Sequence, residues 1–398
     1  MKTSPHVLIA QSGGPSMVIN QSLVGAVSAA LKIPGCRVTG AKHGIAGILK
    51  EDFLDFRKIP AKQLALVAQT PSSALGSVRK KPSPETCVEI LEKLRKHGVT
   101  HFFYIGGNDT AETAHLIFDQ SNRSDPSDQS NLCCFHIPKT IDNDLLCNDH
   151  TPGFASAARF VACAFMGDNL DNLALGGVKI NVVMGRHAGF LTAAAALGRQ
   201  YPDDGPHLLY FPERPFSPEQ FCADVAGAAA CHKRCVVAVS EGICDAEGQP
   251  VAARFSNEVD AHGNKQLSGS GALGDYLAQL VKEKCGISRV RADTFGYLQR
   301  SFPGIASQVD MEEARRVGEV AIEAAFRQKI ESGSVAIQRK PGVKYGVDFT
   351  IVPLRRVAKN TRSMPANFIN KAGNNVTQKF LDYARPLVGE LPPVARII

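Results

Sequence analysis

The segment Pro138–Asp144 carries the residues of this sequence that are best suited to chemistry. It holds a cation at Lys139, a hydroxyl at Thr140 and carboxylates at Asp142 and Asp144. Residues two apart in an extended segment point to the same side, so the spacing predicts that the two carboxylates share one face. Such a set suits phosphoryl transfer, because one carboxylate can take a proton from an attacking hydroxyl while the other holds Mg²⁺. An Asp-Asn-Asp turn that caps the following helix is the alternative interpretation.

Two glycine-rich turns offer places for an anion. Gly13-Gly14 follows the apolar run Val7–Ala10, and Gly106–Asp109 follows the apolar run Phe102–Ile105. Each turn precedes a helical pattern, so backbone N–H groups and a helix N-terminus converge there. Two such turns in one chain favour an oligophosphate ligand. Tight turns and helix caps use the same residue types, and that interpretation stays open for each turn taken alone.

These turns belong to a repeated plan of an apolar run, a polar turn and an amphipathic stretch. The plan recurs at Val178–Val183 with the turn Met184–Arg186, and at Val236–Val239 with the turn Ser240–Gly242. Continuous apolar strands that alternate with helices predict parallel sheets covered on both faces. Ligands of such sheets bind beyond the carboxyl ends of the strands. The sequence therefore predicts an α/β fold whose site residues lie in these turns.

Composition sets the class of protein. The 398 residues are 44% hydrophobic and carry 45 Lys and Arg against 38 Asp and Glu, a net charge of +7. These fractions indicate two or three globular domains and exclude disordered and low-complexity classes. No apolar run reaches the roughly 18 residues of a membrane span, and Val7–Ala10 is too short for a signal peptide, so a cytoplasmic location is expected. The positive charge fits a phosphorylated ligand better than nucleic acid, because no aromatic-basic platform accompanies it.

The sequence pattern disfavours a disulfide framework and three kinds of binding site. The 11 cysteines include no CxxC pair, which argues against a disulfide framework, and Cys231–Cys235 has the wrong spacing for zinc. The chain has no P-loop pattern. A GxGxxG occurs at Gly269–Gly274, but the turn-like Asp260–Lys265 precedes it where a dinucleotide fingerprint needs a strand.

The boundaries between segments are less sharply marked. Polar Ser121–Ser130 predicts a surface loop, and Glu331–Ser334 is expected to separate the repeated plan from a tail. The tail holds the strand-like Val335–Ile337 and Val347–Val352 and the helical pattern Asn375–Ala384, so it is predicted to be folded.

In their order along the chain, these motifs resemble those of the phosphofructokinases. The matching segments cover roughly residues 7–330 and are Ser12–Gly14 with Asn20, Leu75–Arg79, Gly106–Thr110, Pro138–Asp144, Met184–Arg186, Ser240–Gly242 and Arg291–Arg300. The resemblance implies two Rossmann-like three-layer αβα domains with mainly parallel sheets and an active site in the cleft between them. It implies a donor domain over 1–150, completed by part of 290–330, a sugar-phosphate domain over 151–290, and a C-terminal extension over 331–398 packed on the core.

Two positions bear on the phosphoryl donor. ATP-dependent members usually carry Gly where this chain has Asp109 and Lys139. A carboxylate at Asp109 repels a nucleotide's α-phosphate, while Lys139 can neutralise charge on a leaving phosphate. Both residues resemble the diphosphate-dependent branch, which implies reversible transfer from inorganic diphosphate to the C1 hydroxyl of fructose 6-phosphate. An ATP-dependent 6-phosphofructokinase and a non-catalytic, sugar-phosphate-binding regulatory subunit are the alternatives.

The resemblance also implies a role for each candidate site residue. The catalytic set, with Asp142 as the base, is Asp142, Lys139 and Asp109. The diphosphate set is Gly13, Arg79 and Gly107. The Mg²⁺ set is Asn108 and Asp144. The sugar-phosphate set is Thr140, Asp142, Met184, Gly185, Arg186, Glu241, Arg291, Tyr297 and Arg300.

The sequence departs from the family pattern at three of these points. Asn108 stands where many members have a metal-binding Asp, so it is expected to reach the metal through water. Tyr297 replaces a His of the ATP-dependent members, as in the diphosphate branch. The Arg that reaches a neighbouring subunit's site has no clear match, and Lys179 is the candidate substitute.

The implied partners are fructose 6-phosphate, inorganic diphosphate and further copies of the chain in a homodimer or homotetramer, without nucleic acid or membrane. Sedoheptulose 7-phosphate also fits the acceptor contacts. Arg79 with Lys80 and Lys81 has a second interpretation, as a solvated basic turn.

Overall fold

The computed structural model describes residues 4–79, 81–123, 132–255, 271–342 and 344–397. The chain divides into two compact units. The first contains residues 1–141, 145–153 and 309–361, and the second contains residues 142–144, 154–308 and 362–398. Within the described ranges, no helix is long and apolar enough to span a bilayer.

The described strands and helices alternate over most of the chain. The strands are β1 (His6–Gln11), β2 (Arg37–Ala41), β3 (Phe53–Asp55), β4 (His101–Gly106), β5 (Cys133–Pro138), β6 (Gly177–Val183), β7 (Leu208–Tyr210), β8 (Arg234–Ser240), β9 (Val290–Thr294), β10 (Ser332–Arg339) and β11 (Val347–Val352). The α-helices are α1 (Ile19–Leu31), α2 (Ile45–Leu49), α3 (Ala61–Gln69), α4 (Pro84–Lys96), α5 (Asn108–Arg123), α6 (Phe154–Leu175), α7 (Phe190–Ala194), α8 (Pro218–His232), α9 (Ala272–Cys285), α10 (Leu298–Ser301), α11 (Gln308–Phe326), α12 (Leu354–Val357) and α13 (Gln378–Val388). Short 3₁₀ turns occupy Phe56–Lys58, Ala195–Gly198, Val251–Arg254 and Ala366–Phe368.

The first unit is a three-layer sandwich around a seven-stranded sheet in the order β11-β10-β5-β4-β1-β2-β3. The five inner strands are parallel, and the edge strands β3 and β11 are antiparallel to their neighbours. Side chains of β1 alternate between the faces: Val7 and Ile9 pack with α1 and α11, whereas Leu8 and Ala10 pack with α4 and α5. Burial on both faces is why this strand is apolar throughout, and the predicted parallel sheet is confirmed.

The second unit repeats the arrangement with a four-stranded parallel sheet, β7-β8-β6-β9. Val178, Ile180 and Val182 of β6 pack in one core with α8 and α9, and α6 contacts β6 and β8. Met184–Arg186 and Glu241-Gly242 follow the carboxyl ends of β6 and β8. The α/β fold with mainly parallel sheets is therefore confirmed in both units.

Three expectations about local structure were wrong in part. Helix α5 continues through the start of the predicted 121–130 loop, where Ser121 is buried and its hydroxyl donates to the Phe118 carbonyl at 2.8 Å; residues 124–130 lie outside the described ranges. Residues 332–334, expected to separate the repeated plan from the tail, are instead the first residues of β10 and pair with β5. The start of the tail therefore belongs to the first sheet. Helix α13 begins three residues later than predicted, because the Asn370 side chain accepts hydrogen bonds from the N–H groups of Asn374 and Asn375 and so closes a turn.

The GxGxxG pattern lies partly outside the described part of the chain. Residues 260–265, and Gly269 and Ser270 of the pattern itself, are not described, and α9 begins at Ala272.

Candidate active site

The Gly13 turn at the carboxyl end of β1 lies against the 75–79 segment. Gly13 has a left-handed φ of 73°. Its N–H donates to the Val78 carbonyl at 3.2 Å, and its own carbonyl accepts the Ser77 hydroxyl at 2.5 Å. Arg79 follows directly and is exposed. The predicted diphosphate residues Gly13 and Arg79 are thus brought together, although the Gly13 N–H already has an acceptor that a bound anion would share or replace.

The ammonium of Lys139 lies beside the same turn. Lys139 follows β5, is only 3% exposed, and donates through Nζ to the Gly14 carbonyl at 2.5 Å. A Cβ placed on Gly13 would come within 3.2 Å of this Nζ, so glycine leaves the space in front of the ammonium open. A positive charge held in a buried setting acts strongly on a nearby anion. The geometry therefore joins Lys139 to the turn predicted to bind diphosphate.

The Gly106–Asp109 turn connects β4 to α5. A Cβ on Gly106 would collide with the Thr110 hydroxyl at 2.1 Å, so only glycine fits there. Helix α5 begins at Asn108, which is partly buried, and Asp109 lies exposed in its first turn. Gly107 is close to the Lys139 main chain, since its Cβ would lie 3.7 Å from the Lys139 carbonyl oxygen. This helix N-terminus therefore stands next to the Lys139 strand end.

His136 supports these donor residues and was not found from the sequence. It is fully buried on β5, and its ring nitrogens lie 2.8 Å from the Gly106 carbonyl and 2.8 Å from the Ser334 hydroxyl. Burial lowers the pKa of His136 to about 4, so the ring is neutral, with Nε2–H donating to Gly106 and Nδ1 accepting from Ser334. The Lys139 N–H donates to the same Gly106 carbonyl at 2.9 Å. A histidine three residues before the Lys was the only signal in the sequence.

Thr140 is the last predicted site residue of the first unit. Two hydrogen bonds hold the main chain of Thr140 in place. Its N–H donates to the Pro152 carbonyl at 3.1 Å, and its carbonyl accepts the Thr151 hydroxyl at 2.9 Å. Thr140 itself is partly exposed. Its hydroxyl is therefore carried by a firmly anchored strand end.

The Asp142–Asp144 turn belongs to the second unit and is not extended as predicted. Asn143 is fully buried and has a left-handed φ of 60°, a conformation that Asn tolerates better than most residues. Asp142 and Asp144 on either side of it are partly exposed. The expectation of a straight segment was wrong because partners far along the chain hold Asn143, as described below.

The Met184–Arg186 and Ser240–Gly242 turns are in direct backbone contact. The Ser240 hydroxyl donates to the Gly185 carbonyl at 2.6 Å. A Cβ on Gly242 would lie 2.1 Å from the Arg186 carbonyl oxygen, so glycine is required for this approach. Glu241, between them, is 5% exposed. The structure therefore brings the predicted sugar-phosphate residues of β6 and β8 together.

Asp142 acts electrostatically on the same region. The pKa of His187 is lowered by burial and by the charge of Arg186, while the charge of Asp142 opposes that shift. Asp142 and His187 belong to the same unit, and the influence of Asp142 on the pKa of His187 is smaller than that of burial or of Arg186.

Tyr297 and Arg300 join this group through Gln299. Buried Gln299 accepts the Met184 N–H at 3.3 Å and donates to the Gly296 carbonyl at 2.8 Å. The Arg300 guanidinium lies 4.3 Å from the centre of the Tyr297 ring. Gln299 was inside a matched motif, yet only the structure shows that it ties the two loops together.

Arg291 is not brought to this group within one chain. It is the second residue of β9 and pairs in register with Lys179, five residues before Met184. At roughly 3.3 Å per residue this places it about 13 Å from the end of β6 at Val183, beyond the reach of an arginine side chain. Lys179 itself forms ion pairs with Asp293 and, at 3.6 Å, with Asp168.

Known proteins resemble this chain over nearly its whole length. The family model described as Phosphofructokinase matches residues 6–325. A pyrophosphate–fructose 6-phosphate 1-phosphotransferase of Rhodospirillum rubrum is 54% identical over 98% of this chain and 95% of its own, and one of Xanthomonas campestris is 37% identical over 98% and 93%. The crystal structure of a pyrophosphate-dependent phosphofructokinase from Marinobacter aquaeolei matches with a TM-score of 0.86 at 31% identity, covering 98% of this chain and 94% of that one. On this similarity and on the strand-end motifs, the chain belongs to the phosphofructokinase family.

Proposed function

We propose that this chain is a diphosphate-dependent 6-phosphofructokinase. It transfers a phosphoryl group reversibly from inorganic diphosphate to the C1 hydroxyl of fructose 6-phosphate. The observation that carries the proposal is the buried Lys139 ammonium beside the Gly13 turn, with the Asp109 carboxylate in the first turn of α5 of the same unit. The names of the similar enzymes from Rhodospirillum rubrum and Xanthomonas campestris support the same donor and acceptor.

The donor residues of the first unit bind and polarise diphosphate. The N–H of Gly13 and the N-terminal turn at Gly107 present backbone donors, and Lys139 lowers the energy of the charge that develops on the leaving phosphate. Arg79, exposed next to this turn, supplies a guanidinium for an outer phosphate oxygen. Asp109 disfavours a nucleotide by repelling an α-phosphate, whereas diphosphate lacks that group.

Asn108 of the first unit and Asp144 of the second are the residues that we propose to hold Mg²⁺. Asn108 and Asp144 offer an amide and a carboxylate oxygen, both side chains are partly exposed, and Mg²⁺ prefers hard oxygen ligands together with retained waters. Asp144 would be a direct ligand and Asn108 would bond to a coordinated water. When bound, the ion neutralises charge on the diphosphate oxygens.

The acceptor residues of the second unit hold fructose 6-phosphate. Arg300 and Arg186 present guanidinium groups to phosphate and sugar oxygens, and buried Glu241 accepts sugar hydroxyls. Tyr297 stacks on Arg300 and limits its motion. Asp142 takes the proton of the C1 hydroxyl as its oxygen bonds to phosphorus and the bridging bond of diphosphate breaks, so that phosphate leaves. Met184, Gly185 and Thr140 complete the contacts with the sugar phosphate.

Arg291 serves the acceptor site of a second copy of the chain. Its register with Lys179 keeps it about 13 Å from the β6 strand end in its own chain, at roughly 3.3 Å per residue. A role for Arg291 in binding the 6-phosphate therefore requires self-association, as a homodimer or homotetramer. Lys179, held by Asp168 and Asp293, is less suited to this role than Arg291 because its charge is already paired.

A donor-by-acceptor assay tests the proposal. Diphosphate and ATP are each supplied with fructose 6-phosphate or sedoheptulose 7-phosphate, and the bisphosphate product is measured. We expect turnover with diphosphate and fructose 6-phosphate and little with ATP, and we expect Asp109→Gly to raise the ATP rate relative to the diphosphate rate. An enzyme that prefers ATP would overturn the donor assignment, and a chain without transfer from either donor would support the regulatory alternative.

A further inference from the structure

The C-terminal segment 362–388 holds the turn that carries the two aspartates. This segment lies beyond residues 6–325, the range matched by the family model. It belongs to the second unit, as do Asp142–Asp144. It includes Arg362 and helix α13, on which Tyr383 lies.

Three hydrogen bonds connect this segment to the turn. The Arg362 guanidinium Nε donates to the Asn143 carbonyl at 2.7 Å, and the Arg362 main-chain N–H donates to the Asp144 carbonyl at 2.8 Å. The Asn143 side-chain amide donates to the Tyr383 hydroxyl at 2.8 Å. One residue thus binds two successive carbonyls, and a second residue binds the side chain between the aspartates.

Both anchors pack against aromatic rings of their own unit. The Tyr383 ring lies 5.2 Å from the Phe368 ring and 6.5 Å from the Phe154 ring, centre to centre, and the Arg362 guanidinium lies 5.0 Å from the centre of Phe190. Because Phe154 and Phe190 begin α6 and α7, the anchors are packed on the core of the unit. They can therefore hold the turn in place without moving with it.

Glu213 ties the same segment to the sugar-phosphate turn. Its carboxylate oxygen Oε1 accepts the Gly189 N–H and the Met364 N–H, each at 2.9 Å. Gly189 follows the Met184–Arg186 turn by three residues, and Met364 follows Arg362 by two. The segment is thus bonded directly to the aspartate turn and, through Glu213, to Gly189, three residues after the turn that presents Arg186.

These contacts act on the direction of the aspartate side chains. Asn143 is left-handed, and its φ sets the angle at which Asp142 and Asp144 leave the chain. A left-handed non-glycine residue persists only where its surroundings hold it. We propose that Arg362 and Tyr383 are positioning residues for Asp142, so that the C-terminal segment sets the rate of phosphoryl transfer. This inference rests on the proposed function of Asp142 as the base.

The test is a double-mutant cycle between Tyr383 and Asp142. Tyr383→Phe removes the hydroxyl and leaves the ring in its aromatic surroundings. We expect it to lower kcat by about 10-fold with KM changed less than about 2-fold, and to lower kcat less than about 2-fold in an Asp142→Asn background. An effect on kcat that acts through Asp142 vanishes when Asp142 is already disabled, whereas general loosening of the fold lowers kcat equally in both backgrounds.

Matched controls come from the same unit. Tyr201→Phe removes a tyrosine hydroxyl bonded to the Val394 carbonyl at 3.2 Å, and Arg289→Met removes a guanidinium bonded to the Gly176 carbonyl at 3.3 Å; all four residues lie outside 362–388. Neither touches Asp142–Asp144, and we expect both to keep kcat near wild type. Arg362→Met should lower kcat as Tyr383→Phe does, and Arg362→Lys should restore part of it.

The outcomes separate the positioning role of Arg362 and Tyr383 from the proposed function of the chain. Equal losses of kcat in both backgrounds, a change confined to KM, or no change in Tyr383→Phe and Arg362→Met would overturn the positioning role. Wild-type turnover with ATP in place of diphosphate would refute the proposed donor, while the cycle, measured with ATP, would still decide the positioning role. Absence of wild-type transfer from either donor would refute the proposed function and the inference with it.

Discussion

Replacing Lys139 with Met tests the donor site most directly. Met keeps most of the length of the side chain and removes the ammonium, which is buried and lies 3.2 Å from the position of a Cβ on Gly13. An anion in the space that Gly13 leaves open would meet this charge at about 4 Å, where two unit charges interact by about 4 kcal/mol at an effective dielectric constant near 20. Removal of one donor that stabilises a transition state typically costs about 2.7–4 kcal/mol, or roughly 100- to 1000-fold in kcat. The Coulomb energy expected for Lys139 therefore agrees with the typical cost of removing such a donor.

The assay measures kcat with diphosphate and fructose 6-phosphate, together with thermal unfolding. We expect the 100- to 1000-fold loss of kcat, as about 2.7–4 kcal/mol implies, and thermal unfolding shows whether the variant is folded at the assay temperature. Lys93→Met is the control, since Lys93 forms an ion pair with Glu51 at 2.8 Å in the same unit. A folded Lys139→Met variant with kcat within about 3-fold of wild type would refute the assignment.

Two further predictions concern pH and self-association. Burial lowers the pKa of His150, but the carboxylates of Asp149 and Glu313 raise it by more, so the net pKa lies above 6.5. The free energy of unfolding should therefore fall as pH rises from 6.5 through the raised pKa, and His150→Gln should lack that slope; parallel pH curves would contradict this. Mixing an Arg291→Ala chain with an Arg300→Ala chain should restore about a quarter of wild-type activity in a dimer, because half of the random pairs contain one intact site. Failure to recover activity from demonstrably mixed dimers would show that Arg291 does not serve a second copy.

The places of the residues proposed for the donor site were predictable in part, because these residues follow strands directly. Gly13, Gly107 and Lys139 each come at the carboxyl end of an apolar run, and parallel strands in one sheet bring such ends to the same edge. His136 escaped prediction although it lies three residues before Lys139. A histidine inside an apolar strand indicates burial, and only its distances to Gly106 and Ser334 identify its two partners.

The acceptor site was less predictable because its arrangement depends on pairing between strands. Arg291 shares a motif with Arg300, yet the register of β9 against β6 places it level with Lys179. A motif gives the separation of residues along the chain, whereas register decides which end of the sheet each one reaches.

The amino-acid sequence is enough to predict the α/β architecture, the strand ends that hold the proposed site residues, and the family to which the chain belongs. Periodic burial is a local property, so it can be read from neighbouring residues. Tertiary structure alone decided the bend at Asn143, because its partners Arg362 and Tyr383 lie 219 and 240 residues further along the chain. A left-handed residue held by such distant hydrogen bonds leaves no local pattern, and the positions of both aspartates depend on it.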